Sequence, residues 1–112
     1  MSEAREMATR VVKRSLGNVE VCVVLTEDGI LAGAAGHENP GVDPEVLAAM
    51  FAVSMSALEF GLADQGLPRP DRMDLKIGDR HFVVRRKGGH YVVAYTKRRP
   101  NLGLVYLVLD SL

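Results

Sequence analysis

The segment from Asp43 to Gly66 is the feature that most constrains the fold of this chain. Asp43 can cap a helix, Pro44 suits the first helical position, and Glu45 places an acid near the positive end of the helix. Gly66 and the two prolines that soon follow it cannot continue a helix. The segment therefore predicts one long helix that ends near Asp64.

This long helix carries apolar residues around most of its circumference. One stripe at helical spacing consists of Val46, Met50, Val53, Ala57 and Phe60. A second stripe consists of Leu47, Phe51, Ser54, Leu58 and Leu62. One stripe is enough to pack on a sheet, and a chain of 112 residues has only one layer to offer. We expect the first stripe to be covered by a second copy of the chain; the alternative is a helix sandwiched within its own chain.

The first third of the chain predicts a helix followed by a strand hairpin. Ser2 can cap the helix, and Gly17-Asn18 supplies left-handed residues to end it. The apolar face of this helix is Ala4, Met7, Ala8, Val11, Val12, Ser15 and Leu16. Residues 19–26 are apolar at both parities, as in a central strand, and a turn at Glu27-Asp28-Gly29 leads to a second strand over residues 30–36.

After Pro70 the apolar residues recur at every second position, as they do in a strand. Met73, Leu75 and Ile77 alternate with Asp74 and Lys76, which predicts a half-buried strand whose charges suit a sheet edge. Residues 82–86 and 90–96 flank Lys87-Gly88-Gly89 as a hairpin, so these three strands form an antiparallel meander. Residues 100–112 fit a strand by their β-branched content and a short helix after Asn101 by their spacing, and propensity leaves both open.

Composition places the chain among ordinary soluble domains. We expect a single domain over residues 1–112, since 47% hydrophobic and 25% charged residues are typical globular values. We predict no membrane span, because no apolar run approaches the roughly 20 residues needed to cross a bilayer. We predict a cytoplasmic location, because the N-terminus is charged and lacks the apolar stretch of a signal peptide. Cys22 is the only cysteine, and its apolar neighbours favour a packing role. Ten of the fourteen basic residues lie between Arg69 and Arg99, which suits an acidic partner, nucleic acid or a solvated surface.

The motifs of common active sites are missing from the sequence. Residues 33–36, Gly-Ala-Ala-Gly, lack the Gly-Lys-Ser/Thr ending of a phosphate-binding loop. His37, His81 and His90 do not form a metal-binding pair on a helix. We therefore predict no catalytic residues, no cofactor and no metal site, and a chain that is not an enzyme.

The order of these elements resembles the roadblock/LC7 family, which includes the bacterial and archaeal MglB-type proteins. The resemblance rests on the hairpin Leu25-Thr26-Glu27-Asp28-Gly29-Ile30-Leu31-Ala32, the helix from Glu45, the strand Phe82-Val83-Val84-Arg85-Arg86 and the segment Asn101-Leu102-Gly103-Leu104. It implies that the final segment is a helix. It also implies an α+β fold of profilin-like topology, α-β-β-α-β-β-β-α, in which a five-stranded antiparallel sheet has the long helix on one face and both terminal helices on the other.

The resemblance further implies dimers, with identical chains or paralogues, in which edge strands join and the long helices lie side by side. A dimer interface of that kind would use Val46, Met50, Val53, Ala57, Phe60, Met73, Leu75 and Ile77. Prokaryotic relatives partner Ras-like small GTPases as activators or scaffolds. Such a partner could meet the basic residues Arg85, Arg86, Arg98 and Arg99. The alternative functions are nucleic-acid binding by the basic residues 69–99, and sensing of a small molecule between sheet and helix.

Overall fold

The computed structural model describes residues 3–38 and 41–112. Within those residues the chain forms three helices, α1 (Glu3–Arg14), α2 (Pro44–Asp64) and α3 (Leu102–Asp110). It also forms five strands, β1 (Val19–Thr26), β2 (Leu31–Gly36), β3 (Arg72–Ile77), β4 (Arg80–Lys87) and β5 (His90–Thr96). The predicted order α-β-β-α-β-β-β-α is confirmed.

The strands form one antiparallel sheet in the order β2-β1-β5-β4-β3. The predicted edge position of β3 is confirmed, whereas β1, predicted to be central, is an inner strand between β2 and the central β5. The meander of β3, β4 and β5 is also as predicted. Two strand boundaries differ: β2 begins at Leu31, because Ile30 belongs to the turn, and β4 begins earlier than predicted, at Arg80.

Alternating side chains of the inner strands pack into two separate cores, one on each face of the sheet. Val21, Val23 and Leu25 of β1 face α2, where they pack with Leu47 and Phe51. The neighbouring residues of β1 face the other way and pack with α1 and α3, in a core that includes Ala8, Val11, Cys22, Val24, Val105 and Leu109. The predicted layers, one helix on one face and two on the other, are therefore confirmed.

The end of α1 differs from the prediction. Leu16 and Gly17 adopt the left-handed conformation, with φ of 52° and 85°, where Gly17 and Asn18 were predicted to do so. This reversal turns Leu16 away from the core, so its side chain is 79% exposed rather than part of the apolar face. Asn18 is buried instead and anchors the turn through its side chain. The predicted cap Ser2 lies outside the described residues.

Helix α2 packs on the sheet through a face that differs in part from the second predicted stripe. Leu47 and Phe51 are buried as expected, but Ser54 and Leu58 are exposed. Their places on the buried face are taken by Ala48, Ala52 and Met55. At about 100° per residue the buried face is centred near Met55, so Ser54 lies at its edge. Leu58 lies at nearly the same angle as Leu47 and Phe51, but it comes after Met55, the last buried residue of the helix.

Helix α2 is also long and apolar enough, by length and composition, to cross a membrane, and it alone passes that test among the described residues. It passes because Pro44–Asp64 includes only three acids and no basic residue in 21 positions. The expectation that the chain has no membrane span stays a prediction. In this fold one face of the helix instead packs on the sheet, with Phe51 and Met55 almost fully buried. A core helix of a soluble protein passes the same test.

Helix α3 settles the ambiguity of the last segment in favour of a helix. The Asn101 side chain accepts a hydrogen bond from the backbone N–H of Leu104 at 3.2 Å, which caps the first turn. Val105, Val108 and Leu109 then fall on one side of the helix and are buried against the sheet.

Candidate interaction surface

The first predicted stripe of α2, Val46, Met50, Val53, Ala57 and Phe60, is exposed along its length and is called here the outer stripe. The exposed fractions are 59% for Val46, 44% for Met50, 71% for Val53 and 79% for Phe60. At about 100° per residue, these positions lie on the side of the helix opposite Leu47, Phe51 and Met55. The outer stripe therefore lies on the part of α2 that the sheet does not cover.

The edge strand β3 presents a second apolar surface on the same side of the sheet as α2. Leu75 and Ile77 are 41% and 53% exposed, whereas Met73 is partly buried against the α2-side core. The predicted half-burial of this strand holds for Met73 only. The backbone of α2 comes closest to β1 and β2, and its side chains reach β4 at Phe82 and β5 at Tyr91. Leu75 and Ile77, on the edge strand beyond β4, are left exposed.

The opposite face of β3 contacts α3 through Arg72 and Asp74. The Tyr106 hydroxyl donates to one carboxylate oxygen of Asp74, and the His81 ring nitrogen Nδ1 lies 2.6 Å from the other. The Arg72 guanidinium stacks 3.9 Å from the centre of the Tyr106 ring. The hydrogen bond to Asp74, and then burial, raise the pKa of Tyr106. Because Tyr106 and Asp74 lie 32 positions apart, no local sequence pattern indicates this contact.

The structure places Arg85 and Arg86 on opposite faces of the sheet. Arg85 lies on the α3 side, where its Nε is 3.6 Å from Asp110. Arg86 is two positions after Val84 of the α2-side core, so it lies on the α2 side of the sheet, where it is 3.9 Å from Asp71. Both side chains are about one-quarter exposed, at 27% and 26%. The two guanidinium groups therefore do not form one docking surface.

Arg98 and Arg99 lie at the other end of the sheet, beyond the end of β5. Both residues are exposed, and Arg98 is 3.9 Å from Asp79. The N–H of Lys97 donates to the carbonyl of Asn18 at 3.0 Å, which brings this loop beside the end of α1 and its exposed Leu16. The four predicted partner-facing arginines are thus divided between two ends of the sheet, and only Arg98 and Arg99 are together on an open surface.

The basic residues of the second half are largely neutralised by carboxylates. Six of the ten have an acidic partner within 4.0 Å, namely Arg69, Arg72, Arg80, Arg85, Arg86 and Arg98. The acids come from all parts of the chain, including Glu20 and Glu27 from the first half. The predicted charge asymmetry along the sequence is therefore reduced by folding.

Buried polar chemistry is concentrated at Tyr91. Its hydroxyl donates to Glu59 of α2 at 2.8 Å, and Arg69 lies 3.7 Å from the same carboxylate. Burial, followed by the hydrogen bond to Glu59, raises the pKa of Tyr91 to about 12. Tyr91 is therefore neutral at physiological pH, and the group joins α2 to β5.

Cys22 is placed as a packing residue, and His37 and His81 lie beside carboxylates. Cys22 is fully buried, and that burial raises the pKa of its thiol far above the usual range. His81 faces Asp74, and His37 is 3.9 Å from Glu20. In the described ranges 3–38 and 41–112, no three His, Cys, Asp or Glu side chains are grouped so as to hold a metal ion.

A five-stranded antiparallel sheet with α2 on one face and α1 and α3 on the other is the roadblock/LC7 fold, which is of the profilin-like type. The fold that the sequence resemblance implied is therefore confirmed. MglB of Myxococcus xanthus superposes with a TM-score of 0.86 at 20% identity, over 99% of this chain and 86% of that chain.

Two further solved structures are similar. The Roadblock/LC7 domain from Streptomyces avermitilis has a TM-score of 0.81 at 13% identity, over 98% of this chain and 91% of that one. The profilin of Schizosaccharomyces pombe has a TM-score of 0.68 at 9% identity, over 97% and 92% of the two chains. No protein-family model and no curated protein matches the sequence.

Proposed function

We propose that this chain is a homodimeric, non-catalytic interaction module that regulates or scaffolds a Ras-like small GTPase in the cytoplasm. The observation that carries the proposal is the exposed outer stripe of α2, which includes Val53 and Phe60 at 71% and 79% exposure. A helix face with this many large apolar side chains is typical of a surface that is covered in the working assembly. The structural likeness to MglB supports the same conclusion.

The energetic argument for a partner rests on two surfaces rather than one. Each large apolar side chain of the outer stripe forgoes about 1.5 to 3 kcal/mol of burial when it is left in water. Leu75 and Ile77 on the edge strand lie on the α2 side of the sheet as well. A second copy that places its own α2 and β3 against these surfaces would cover both at once.

The dimer can be tested by light scattering on purified protein. We expect the wild-type chain to be a dimer at micromolar concentration, and Met50→Glu and Val53→Asp to shift it to monomer, because each buries an unpaired charge in the interface. Leu107→Glu is the matched control, since Leu107 is 65% exposed on α3 and outside the proposed interface. Intact dimers in both stripe variants, or a monomeric wild type, would refute the interface.

The GTPase partner is supported by the likeness to MglB together with the family resemblance of the sequence. Regulation of such a partner would consist of holding its switch loops in one conformation. The test is capture from the native organism on immobilised wild-type protein, with GDP or a slowly hydrolysed GTP analogue present. We expect a small GTPase that is retained in one nucleotide state; its absence from both would contradict the proposal.

Arg98 and Arg99 are the residues that we propose to face this partner, because they are exposed and adjacent. A guanidinium group suits phosphates and carboxylates through its planar set of donors. The double variant Arg98→Ala, Arg99→Ala should weaken capture of the GTPase about tenfold and leave the dimer intact. Lys87→Ala, at the exposed last residue of β4, is the control at the other end of the sheet.

The two alternative functions have separate tests. The ion pairs of six basic residues count against a nucleic-acid surface, and a salt-dependent mobility shift with DNA or RNA would revive it. The filling of both faces of β1 by apolar side chains counts against a ligand cavity between sheet and helix. A rise in melting temperature with a metabolite library would restore the sensor function.

A further inference from the structure

The charges of edge strand β3 are arranged so that the strand complements itself. Its six residues are Arg72-Met73-Asp74-Leu75-Lys76-Ile77. Met73 packs into the α2-side core, and Leu75 pairs with Phe82 of that same core. Arg72 and Asp74 contact Tyr106 of α3 on the other face. One face of β3 therefore carries apolar residues, and the other carries a basic-acidic-basic series.

Pairing of two β3 strands in a dimer allows few registers. Directly opposed residues of an antiparallel pair point to the same face of a sheet. If both copies place α2 on one side, apolar residues must oppose apolar residues and charged must oppose charged. Only registers in which one residue of β3 lies opposite the same residue of the other copy satisfy this condition. Of these, the ones centred on Asp74 and on Leu75 pair five residues of each strand, and the others pair three or fewer.

Charge decides between the two long registers. Centred on Asp74, the pairing opposes Asp74 to Asp74 and Arg72 to Lys76 twice, which gives three contacts between like charges. Centred on Leu75, it opposes Asp74 to Lys76 twice, Leu75 to Leu75, and Met73 to Ile77 twice. Every charged contact is then attractive and every apolar contact is matched.

For the homodimer proposed above, we infer that its two β3 strands pair antiparallel in the register centred on Leu75, and that Asp74 and Lys76 of each copy form the ion pairs that select this register. This inference rests on the proposed homodimer and specifies its geometry. A paralogue would match β3 in this way only if it repeated the same alternation of charge. The self-complementarity of Asp74 and Lys76 is thus the reason to expect a homodimer rather than a heterodimer.

Cysteine cross-linking tests the register directly. Leu75→Cys places two thiols at directly opposed positions, with Cα atoms about 4.5 to 5.5 Å apart, which a disulfide can bridge. In the same register Asp74→Cys leaves its thiols on diagonal positions about 7 to 8 Å apart, beyond the usual bridging distance. The native Cys22 is buried, so it should not contribute to the product. Mild oxidation should cross-link Leu75→Cys at least tenfold more than Asp74→Cys.

A second measurement avoids the contacts of Asp74 with α3. Chains that carry Met73→Cys are mixed with chains that carry Ile77→Cys, which lie opposite each other only in the register centred on Leu75. We expect a mixed disulfide in the mixture and little product from either variant alone. The same mixture after Met50→Glu has been added to both chains should give no product.

The outcomes separate this inference from the function on which it rests. A wild-type chain that is monomeric by light scattering refutes the homodimer and the register together. A dimer in which Asp74→Cys cross-links better than Leu75→Cys refutes the register alone. A dimer in which neither the single variants nor the mixture cross-links shows that β3 is not at the interface, and it leaves the outer stripe of α2 as the dimer surface.

Discussion

Asn18 and Asn101 are joined by a hydrogen bond in which the side-chain oxygen of Asn18 accepts from the backbone N–H of Asn101 at 2.8 Å. The Asn18 amide nitrogen also donates to the carbonyl of Ser15 at 3.0 Å. The end of α1 is thereby fixed to the start of α3, 83 positions further along the chain. Because Asn18 is buried, its loss would leave these backbone groups without their partner.

We therefore predict that Asn18→Ala lowers the free energy of unfolding by about 1 to 3 kcal/mol. Thr9→Ala is the control, since the Thr9 hydroxyl bonds only within α1, to the carbonyl of Arg5 at 2.9 Å. Its effect should stay within about 0.5 kcal/mol. Urea unfolding at equal protein concentration measures both, and equal stability of the two variants would contradict this role of Asn18.

Tyr91 should give stability that is lost only at high pH. Its pKa is raised to about 12 by burial and by the hydrogen bond to Glu59, so the folded state favours the protonated phenol. That contribution is complete below the unfolded pKa of about 10 and disappears as pH rises through about 12. Tyr91→Phe should cost about 1 to 2 kcal/mol at pH 7. The difference between wild type and variant should shrink above pH 10; a difference independent of pH would argue against the assignment.

Gly33 lets the backbone of α1 approach β2 closely. A Cβ atom at Gly33 would lie 2.6 Å from the backbone nitrogen of Arg5, which cannot move without shifting the helix. Gly33→Ala should therefore destabilise the fold by about 1 to 3 kcal/mol. Gly61→Ala is the matched control within α2, because nothing lies within 4 Å of the added carbon. It should stabilise by about 0.5 to 1 kcal/mol, and thermal melts of the two should shift in opposite directions.

Lys76→Glu should weaken the proposed dimer, because at each of the two contacts it places one acidic side chain opposite Asp74 of the other copy. We expect a loss of about 1 to 2 kcal/mol of dimer stability, measured by sedimentation, and partial recovery in 1 M salt. Lys97→Glu makes the same change of charge at an exposed position outside β3. The prediction is wrong if both variants dissociate alike.

Cys22 should report global unfolding. The thiol is fully buried and its pKa is raised by burial, so the reactive thiolate is disfavoured in the folded chain. Labelling with a thiol reagent should be undetectable in native buffer and should rise with the unfolded fraction in urea. Leu107→Cys provides an exposed thiol for comparison. Rapid labelling of the native wild type would mean that the sheet core opens locally.

Much of the fold could be read from local patterns. Asp43 and Pro44 mark the start of α2, and its observed limits, Pro44–Asp64, match the prediction because capping and proline geometry act within one turn. The limits of β1, Val19–Thr26, and its inner position follow from apolar residues at both parities. The exposure of the outer stripe was also predictable, since one chain cannot cover both sides of so apolar a helix.

Other features depended on how the elements are placed. Leu16 has an apolar side chain at helical spacing, yet the backbone reversal at the end of α1 turns it into solvent. Arg85 and Arg86 are adjacent in sequence, and the pleat of β4 sends them to opposite faces. The arginines of the second half form one basic region in the sequence, but folding places Glu27 beside Arg69 and Glu20 beside Arg80.

The sequence by itself determined the order of the elements, the two-sided apolar character of α2 and the alternating charges of β3, because these depend on side chains a few positions apart. The tertiary structure alone decided that α2 lies closest to β1 and β2, that Tyr106 of α3 contacts Asp74 of β3, and that Leu75 and Ile77 stay exposed. The physical reason is that a periodic pattern states which side of an element is apolar, whereas the position of one element on another is set by packing between residues far apart in the chain.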